Sequence, residues 1–430
     1  MHNKNKYKNG ILPMILINFA IGSVYCWTLF RTPLHTAEYG FTPTVTAWAF
    51  SIALFMLGIS AAFGGPLVER NPNRSAWLTA LFFTSGWVLT GVAIAQRSPV
   101  LLLIGFGFVQ GIGLGLGYIT PVKTMMLWIP GRKGFAAALS ITAFGLAGVI
   151  ANPIIQLLID NLHRLEYVFW VLAVMYGVAM VVGAILLYRP EDKNPDGVGI
   201  QTDTVNRWEL VKDKKFFLLW FVFFVNIAAG LAVIGPEVQI YQHGGRLAPL
   251  FLLMTMTSAT SNLISRPVAG WAQDFMKQKH TPYILMTLMA IVMCTIAVLF
   301  PAPLGISFAL VIVLQFTLGV GFATNPEILH QNWGMKFLST VQGMMLTAWA
   351  AAALVGPQIT NFVLEYTELG LQGLFSIMLG MFILQMGVLL LWIKLTKADR
   401  AEVATAGHRS HHEPIAEGVV EREVTPVTVK

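Results

Sequence analysis

Residues 115–128 read GLGYITPVKTMMLW, and residues 319–333 read GVGFATNPEILHQNW. Both stretches are apolar, Gly-rich at the start and broken by a proline. Each carries one strongly charged side chain, Lys123 in the first and Glu327 in the second. Their starts lie 204 residues apart, and three other pairs keep nearly the same step. Asn18-Phe-Ala-Ile-Gly22 answers to Asn226-Ile-Ala-Ala-Gly230 at 208 residues. Gly65-Pro-Leu-Val-Glu69-Arg70 answers to Gly270-Trp-Ala-Gln-Asp274, and TAFGLAGVIANP from Thr142 to TAWAAAALVGP from Thr347, both at 205. Chance matches of small apolar residues are common in membrane helices, so one pair carries little weight. Four in register predict a duplicated unit. Parallel repeats about an axis normal to the membrane place a cleft between two halves, which rock to expose it to either side.

The solvent of that unit is lipid. Of 430 residues, 56% are hydrophobic and 11% are charged, against about 25% charged in soluble domains. A spanning helix needs about 20 mainly apolar residues. Twelve segments qualify: 11–34, 44–68, 75–96, 99–128, 134–160, 166–188, 215–241, 247–275, 282–300, 304–330, 338–364 and 371–395. The expected fold is therefore an all-α integral membrane protein of twelve helices in two six-helix pseudo-repeats. The halves cover 1–189 and 215–396, joined by a cytoplasmic linker over 190–214 and followed by a disordered tail over 397–430. The first segment has no small-residue cleavage site and reads as a retained helix. Cys26 and Cys294 sit in apolar stretches and read as small core residues. His408, His411 and His412 of the tail read as solvated rather than as metal ligands.

The net charge of +7 takes its meaning from depth. With both termini on one side, that side collects Lys4, Lys6, Lys8, Arg70, Arg74, Arg132, Lys133, Lys277, Lys279 and Lys336. It also collects six cations from Arg189 to Lys215 and six from Lys394 onward, 22 of the 28 in all. The opposite loops hold Arg97, Arg164 and Arg246. Cationic loops mark the cytoplasm, so both termini are expected inside a cell (inner) membrane. The excess is a topology signal and no nucleic-acid footprint. Arg31, Lys123 and Arg266 remain within spans, Arg31 near an end from which it can snorkel.

With these motifs the chain resembles the major facilitator superfamily over all twelve spans. The family's loop motif after the second helix reads here as Gly65, Glu69, Arg70, Pro72 and Arg74, with Glu and Pro as departures. Its second copy is Gly270, Asp274, Lys277 and Lys279. A carboxylate near a helix end with cations beside it can latch the cytoplasmic side, so Glu69, Arg70 and Asp274 are gating candidates. Within the superfamily the chain resembles the oxalate/formate antiporter-like group of carboxylate carriers. The resemblance rests on Gly22-Ser-Val-Tyr25-Cys-Trp27, Trp128-Ile-Pro-Gly-Arg132-Lys133-Gly134, Asn262-Leu-Ile-Ser-Arg266 and Gly343-Met-Met-Leu-Thr-Ala-Trp349. It implies secondary transport of a small carboxylate with no cofactor, by a monomer, as a proton symport or as an antiport against a second carboxylate.

Arg266 is the sharpest single residue. A cation inside a span costs about 2.5–3.5 kcal/mol on insertion scales, and a guanidinium fork matches a carboxylate. Asn262 and Ser258 precede it by four and eight residues on the same helix face. Asn18, Gly22 and Tyr25 form a stripe on the first helix. The resemblance places Tyr25 and, on the fourth helix, Tyr118 at cavity-lining positions. Trp349 stands where the oxalate carrier has a lysine, which removes a second cation and favours a monocarboxylate. Asn262 stands where proton-coupled eukaryotic relatives have an aspartate, so coupling falls to Glu237 or Glu327 or is absent. Lys123 and Glu327 are expected to pair across the halves at the inner gate. The readings that remain are a carrier of lactate, pyruvate or formate class, an oxalate/formate-type exchanger, and a carboxylate-sensing receptor on a carrier fold. An enzyme is disfavoured, since no HExxH, G-x-S-x-G, P-loop or metal-spaced cluster is present. The glycines of GFGFVQGIGLGLGY lie in a span and serve helix packing.

Overall fold

Capped prolines start three successive helices. Thr42, Asn71 and Ser98 each accept a hydrogen bond from the N–H three residues on, and each is followed by Pro at the first helical position. That position needs no donor, and the fixed φ of proline suits it. The computed structural model describes residues 10–162, 164–188, 210, 212–234, 248–300 and 304–410. Most of the expected linker, Glu237 and the end of the tail lie outside these residues.

Among the described residues the helical rods follow in chain order. Rod α1 comprises Leu12–Gly22, a 3-10 turn Ser23–Cys26 and Trp27–Leu34. It is followed by α2 (Pro43–Arg70) and α3 (Pro72–Ala95). Rod α4 comprises Pro99–Leu102, a π-helical stretch Leu103–Val109 and Gln110–Trp128. Then come α5 (Lys133–Asn161), α6 (Leu165–Leu186), α7 (Lys214–Ile234) and α8 (Ala248–Phe275). The last four are α9 (Thr281–Leu299), α10 (Leu304–Trp333), α11 (Leu338–Tyr366) and α12 (Gly370–Ser410).

Eleven of these are long and apolar enough to cross a membrane. The exception is α8, 28 residues long, whose Ser258, Ser261, Asn262, Ser265 and Arg266 lower its hydropathy. Elsewhere large apolar side chains point outward all round the bundle: Phe63, Leu81, Val149, Ile185, Leu285 and Leu390 are each more than half exposed. A soluble surface rarely does this; lipid accepts it. The last helix extends to Ser410, past the boundary at 397 where disorder was expected. Ala401, Glu402, Ala404 and Ala406 are good helix formers, and they continue the turn begun in the membrane.

The two halves meet by a two-fold rule: α2 lies along α11, and α8 along α5. Each half also has its own core. Trp27, Phe30, Trp87, Phe106 and Phe169 interlock in the first. Ala290, Cys294, Leu314 and Phe375 pack in the second, and both cysteines are buried thiols. The matched asparagines of α1 and α7 both bond across to a neighbouring helix, though not to equivalent ones. Asn18 Nδ2 donates to Ser140 Oγ (2.9 Å) and ties α1 to α5. Its counterpart Asn226 donates to the Thr317 carbonyl (3.3 Å) and ties α7 to α10.

Candidate functional site

Arg266 lies midway along α8, where the halves touch, and is 7% exposed. Its Nη1 donates across to the Ile141 carbonyl of α5 (2.8 Å), and its Nη2 donates to Asn262 Oδ1 one turn back (2.9 Å). Asn262 is held in turn, because its Nδ2 donates to Gln315 Oε1 of α10 (3.1 Å). Gln315 Nε2 reaches the Gly230 carbonyl of α7 (3.3 Å). Three helices thus fix the guanidinium through one chain of bonds. Gly145 of α5 admits it closely: a Cβ there would stand 2.5 Å from Nη1. The Nε–H of Arg266 is left without a partner.

Aromatic rings wall this cation. Its Cζ stands 5.9 Å from the Phe322 ring centre, a cation–π distance. Trp349 packs on Phe322 (4.8 Å), on Tyr118 (5.6 Å) and on Phe144 (6.2 Å). Phe144 also meets Tyr25 (5.5 Å) and Tyr118 (5.4 Å) edge-on. Trp349 is 2% exposed, and its indole N–H is a buried donor without an acceptor. The cage therefore holds two unpaired donors, Arg266 Nε and Trp349 Nε1, within apolar walls drawn from both halves.

The structure brings together Arg266, Asn262, Tyr25, Tyr118 and Trp349. The Asn18 amide serves the α1–α5 contact, through Ser140 beside Ile141. Phe144, Phe322 and Gln315 are site residues that the sequence reading does not pick out. No signal marks a Phe in a lipid-soluble helix as cavity rather than core. Gln315 is different: a glutamine within a span is a polar residue that repays attention.

Below the cage, the end of the bundle that carries Arg70, Arg132, Lys133 and Lys336 is shut by a pair of matching contacts. Glu69 at the end of α2 accepts from the backbone N–H groups of Ser339 (2.6 Å) and Thr340 (3.1 Å), at the start of α11. Asp274 at the end of α8 accepts from Gly134 (2.8 Å) and Phe135 (3.0 Å), at the start of α5. A carboxylate at a helix N-terminus satisfies open donors and the positive end of the dipole together. Arg70 lies exposed beside this contact.

Among the described residues, Lys123 and Glu327 each show other partners. Lys123 Nζ forms its ion pair with Glu69 and donates to the Lys336 carbonyl (3.0 Å). Glu327 Oε2 faces His330 Nδ1 at 3.3 Å. Lys123 on α4 reaches Glu69 at the end of α2 and the Lys336 carbonyl ahead of α11. Glu69 is near because α2 packs on α4.

Two six-helix bundles around a buried cation at their interface define a membrane transport protein. The chain belongs to the Major Facilitator Superfamily, whose family model matches residues 11–357, and it is a multi-pass membrane protein. It is 25% identical over 354 residues to the uncharacterized MFS-type transporter YhjX of Escherichia coli (strain K12), covering 80% of this chain and 85% of that one. It is 23% identical over 361 residues to the oxalate:formate antiporter of Oxalobacter formigenes, covering 82% and 83%. Among solved structures, the MFS transporter FucP in the outward conformation superposes with a TM-score of 0.70 at 14% identity, over 88% of this chain and 97% of that one. That likeness shows the fold. Family and fold are those of transporters rather than enzymes.

Proposed function

We propose that the protein is a secondary carrier of a small monocarboxylate, of the lactate, pyruvate or formate class, working by alternating access. Arg266 binds the carboxylate in the central cage. The observation that carries this reading is the unpaired Nε–H of a buried guanidinium whose other two nitrogens are already anchored. A buried charged group left short of a partner is costly, and a carboxylate relieves that cost. One cation matches one negative charge, and Trp349 Nε1 supplies a neutral donor for a further substrate oxygen. The aromatic walls suit a short apolar body. The likeness to an oxalate:formate antiporter supports the carboxylate class. Twelve spans with both termini cytoplasmic complete the reading, with α8 as a span whose polar face turns to the cleft.

Counterflow of labelled lactate, pyruvate, formate and oxalate in proteoliposomes, with and without a pH gradient, tests it. Saturable exchange of a monocarboxylate in preference to oxalate is expected. Absence of flux for all four, with binding retained, would replace the carrier by a carboxylate-sensing receptor.

A further inference from the structure

At the basic end of the second half, α10, α12 and the turn before α9 surround a cavity of about 80 Å³. On the same measure one water needs roughly 10–15 Å³, so a tetrahedral oxyanion has room there. Trp392, Ile393 and Thr396 form the floor and are buried. Gln278, Gln331 and Lys397 form the mouth and are exposed.

Trp392 is the informative residue. It is 1% exposed, its ring meets that of His280 edge-on at 5.7 Å, and its indole N–H is a buried donor without an acceptor. Such a donor costs stability until a ligand accepts from it. The Lys397 ammonium and the amides of Gln278 and Gln331 bring further donors to the same space. Lys394, exposed one turn before Lys397, adds a second positive charge. Among the described residues no carboxylate lines the cavity. Of the carboxylates on the adjoining elements, Asp274 caps α5 and Glu327 faces His330. Donors and cations without an opposing carboxylate make an anion site.

Depth says which anion. Three apolar spans end together at this level: that of α9 begins at Thr281, that of α10 stops at Trp333, and that of α12 stops at Lys397. The cavity therefore opens at headgroup height, where lysines attract anionic lipid. From the same level, exposed Leu285, Leu288 and Val292 on α9 and Leu384 and Leu391 on α12 continue toward the middle of the span. That is the depth of acyl chains. A soluble anion would make no use of those rows.

We propose that this cavity binds the phosphate of an anionic phospholipid from the leaflet at the basic end. Trp392 Nε1 donates to it from the floor and Lys397 from the mouth. Gln278 and Gln331 flank it, and their carbonyl oxygens accept from a hydroxylated headgroup. Occupation ties α10 and α12 to the start of α9. The site shares no residue with the Arg266 cage and does not depend on what the cage carries.

The test is native mass spectrometry of the full chain in detergent, titrated with dioleoylphosphatidylglycerol or with dioleoylphosphatidylcholine. The first phosphatidylglycerol retained is expected to bind about fivefold or more tighter than phosphatidylcholine, the fold-change of one interfacial cation. Trp392→Phe keeps the ring against His280 and removes the donor; Lys397→Gln removes the charge. Each should weaken phosphatidylglycerol about tenfold, as loss of a hydrogen bond to a charged group implies, and leave phosphatidylcholine unchanged. Lys214→Gln, exposed on α7 at the same end but outside the cavity, should change neither. Lys397→Gln with Gln331→Leu, both at exposed positions, decides the matter if Trp392→Phe does not fold. Equal retention of the two lipids, or a loss with Lys214→Gln as large as with Lys397→Gln, overturns the proposal. So does displacement of phosphatidylglycerol by millimolar inorganic phosphate, which would assign the cavity to a soluble anion. No carboxylate substrate is involved, so none of these results bears on the carrier reading.

Discussion

At Arg266 the energetic argument is one of geometry more than of charge. Lysine in its place would keep the cation and lose the fork that serves Ile141 and Asn262 and, on the proposed reading, the substrate. A hydrogen bond to a charged group contributes about 1.5–3 kcal/mol, so Arg266→Lys is expected to raise the KM for counterflow about ten- to a hundredfold. Trp349→Phe keeps the ring against Phe322 and Tyr118 but removes the donor. Its expected effect is smaller, about 1 kcal/mol or roughly fivefold in KM. Trp349→Lys adds the second cation that a dianion needs, and competition by oxalate is the measurement that shows whether preference moves that way. Arg266 stands out in the sequence because lipid makes a mid-span cation expensive. Phe144 and Phe322 do not, because lipid accepts a phenylalanine on every face of a helix.

At the level of elements, the closures of α2 on α11 and of α8 on α5 depend on bare backbone. A Cβ on Gly65 would lie 2.9 Å from the Thr340 nitrogen, and one on Gly270 would lie 2.7 Å from the Gly134 carbonyl oxygen. Gly65→Val and Gly270→Val should each wedge the basic end apart, raising maleimide labelling of Thr340→Cys, at a buried position, in a chain with Cys26 and Cys294 replaced by alanine. The Glu69–Lys123 pair makes a second prediction. Removing one member of a buried pair costs about 3–5 kcal/mol, while removing both is far milder. Glu69→Gln should therefore lower the midpoint of thermal unfolding in detergent more than Glu69→Gln with Lys123→Met. Both carboxylates, Glu69 and Asp274, are legible as residues that make contacts at helix ends. The partner of Lys123 is not. Sequence gives depth along a helix, whereas the neighbouring helix at that depth is a fact of packing.

For the molecule as a whole, the charge distribution makes a topological prediction. With Cys26 and Cys294 replaced, Gly131→Cys should react with an impermeant maleimide only from the cytoplasm. Glu38→Cys, exposed at the opposite end, should react only from outside. The reverse pattern would invert the assignment of the basic end. The outline of the fold follows from the chain because lipid imposes two strong rules: spans must be about 20 residues long, and cations must collect on one side. Gene-like duplication adds a third, since Gly65 with Glu69 and Gly270 with Asp274 announce the same contact twice.

Those rules act along the membrane normal, and along that direction the sequence determined much of the protein: an all-helical membrane fold, the order of its apolar helices, and a cation within α8. What the tertiary structure decided lies in the membrane plane. It set which rings surround Arg266, brought Glu69 to Lys123, and drew His330 from α10 to Lys133 on α5. Hydropathy is nearly uniform around an apolar helix, so it carries little azimuthal information. Azimuth is settled by close packing and by the few polar atoms that must find partners.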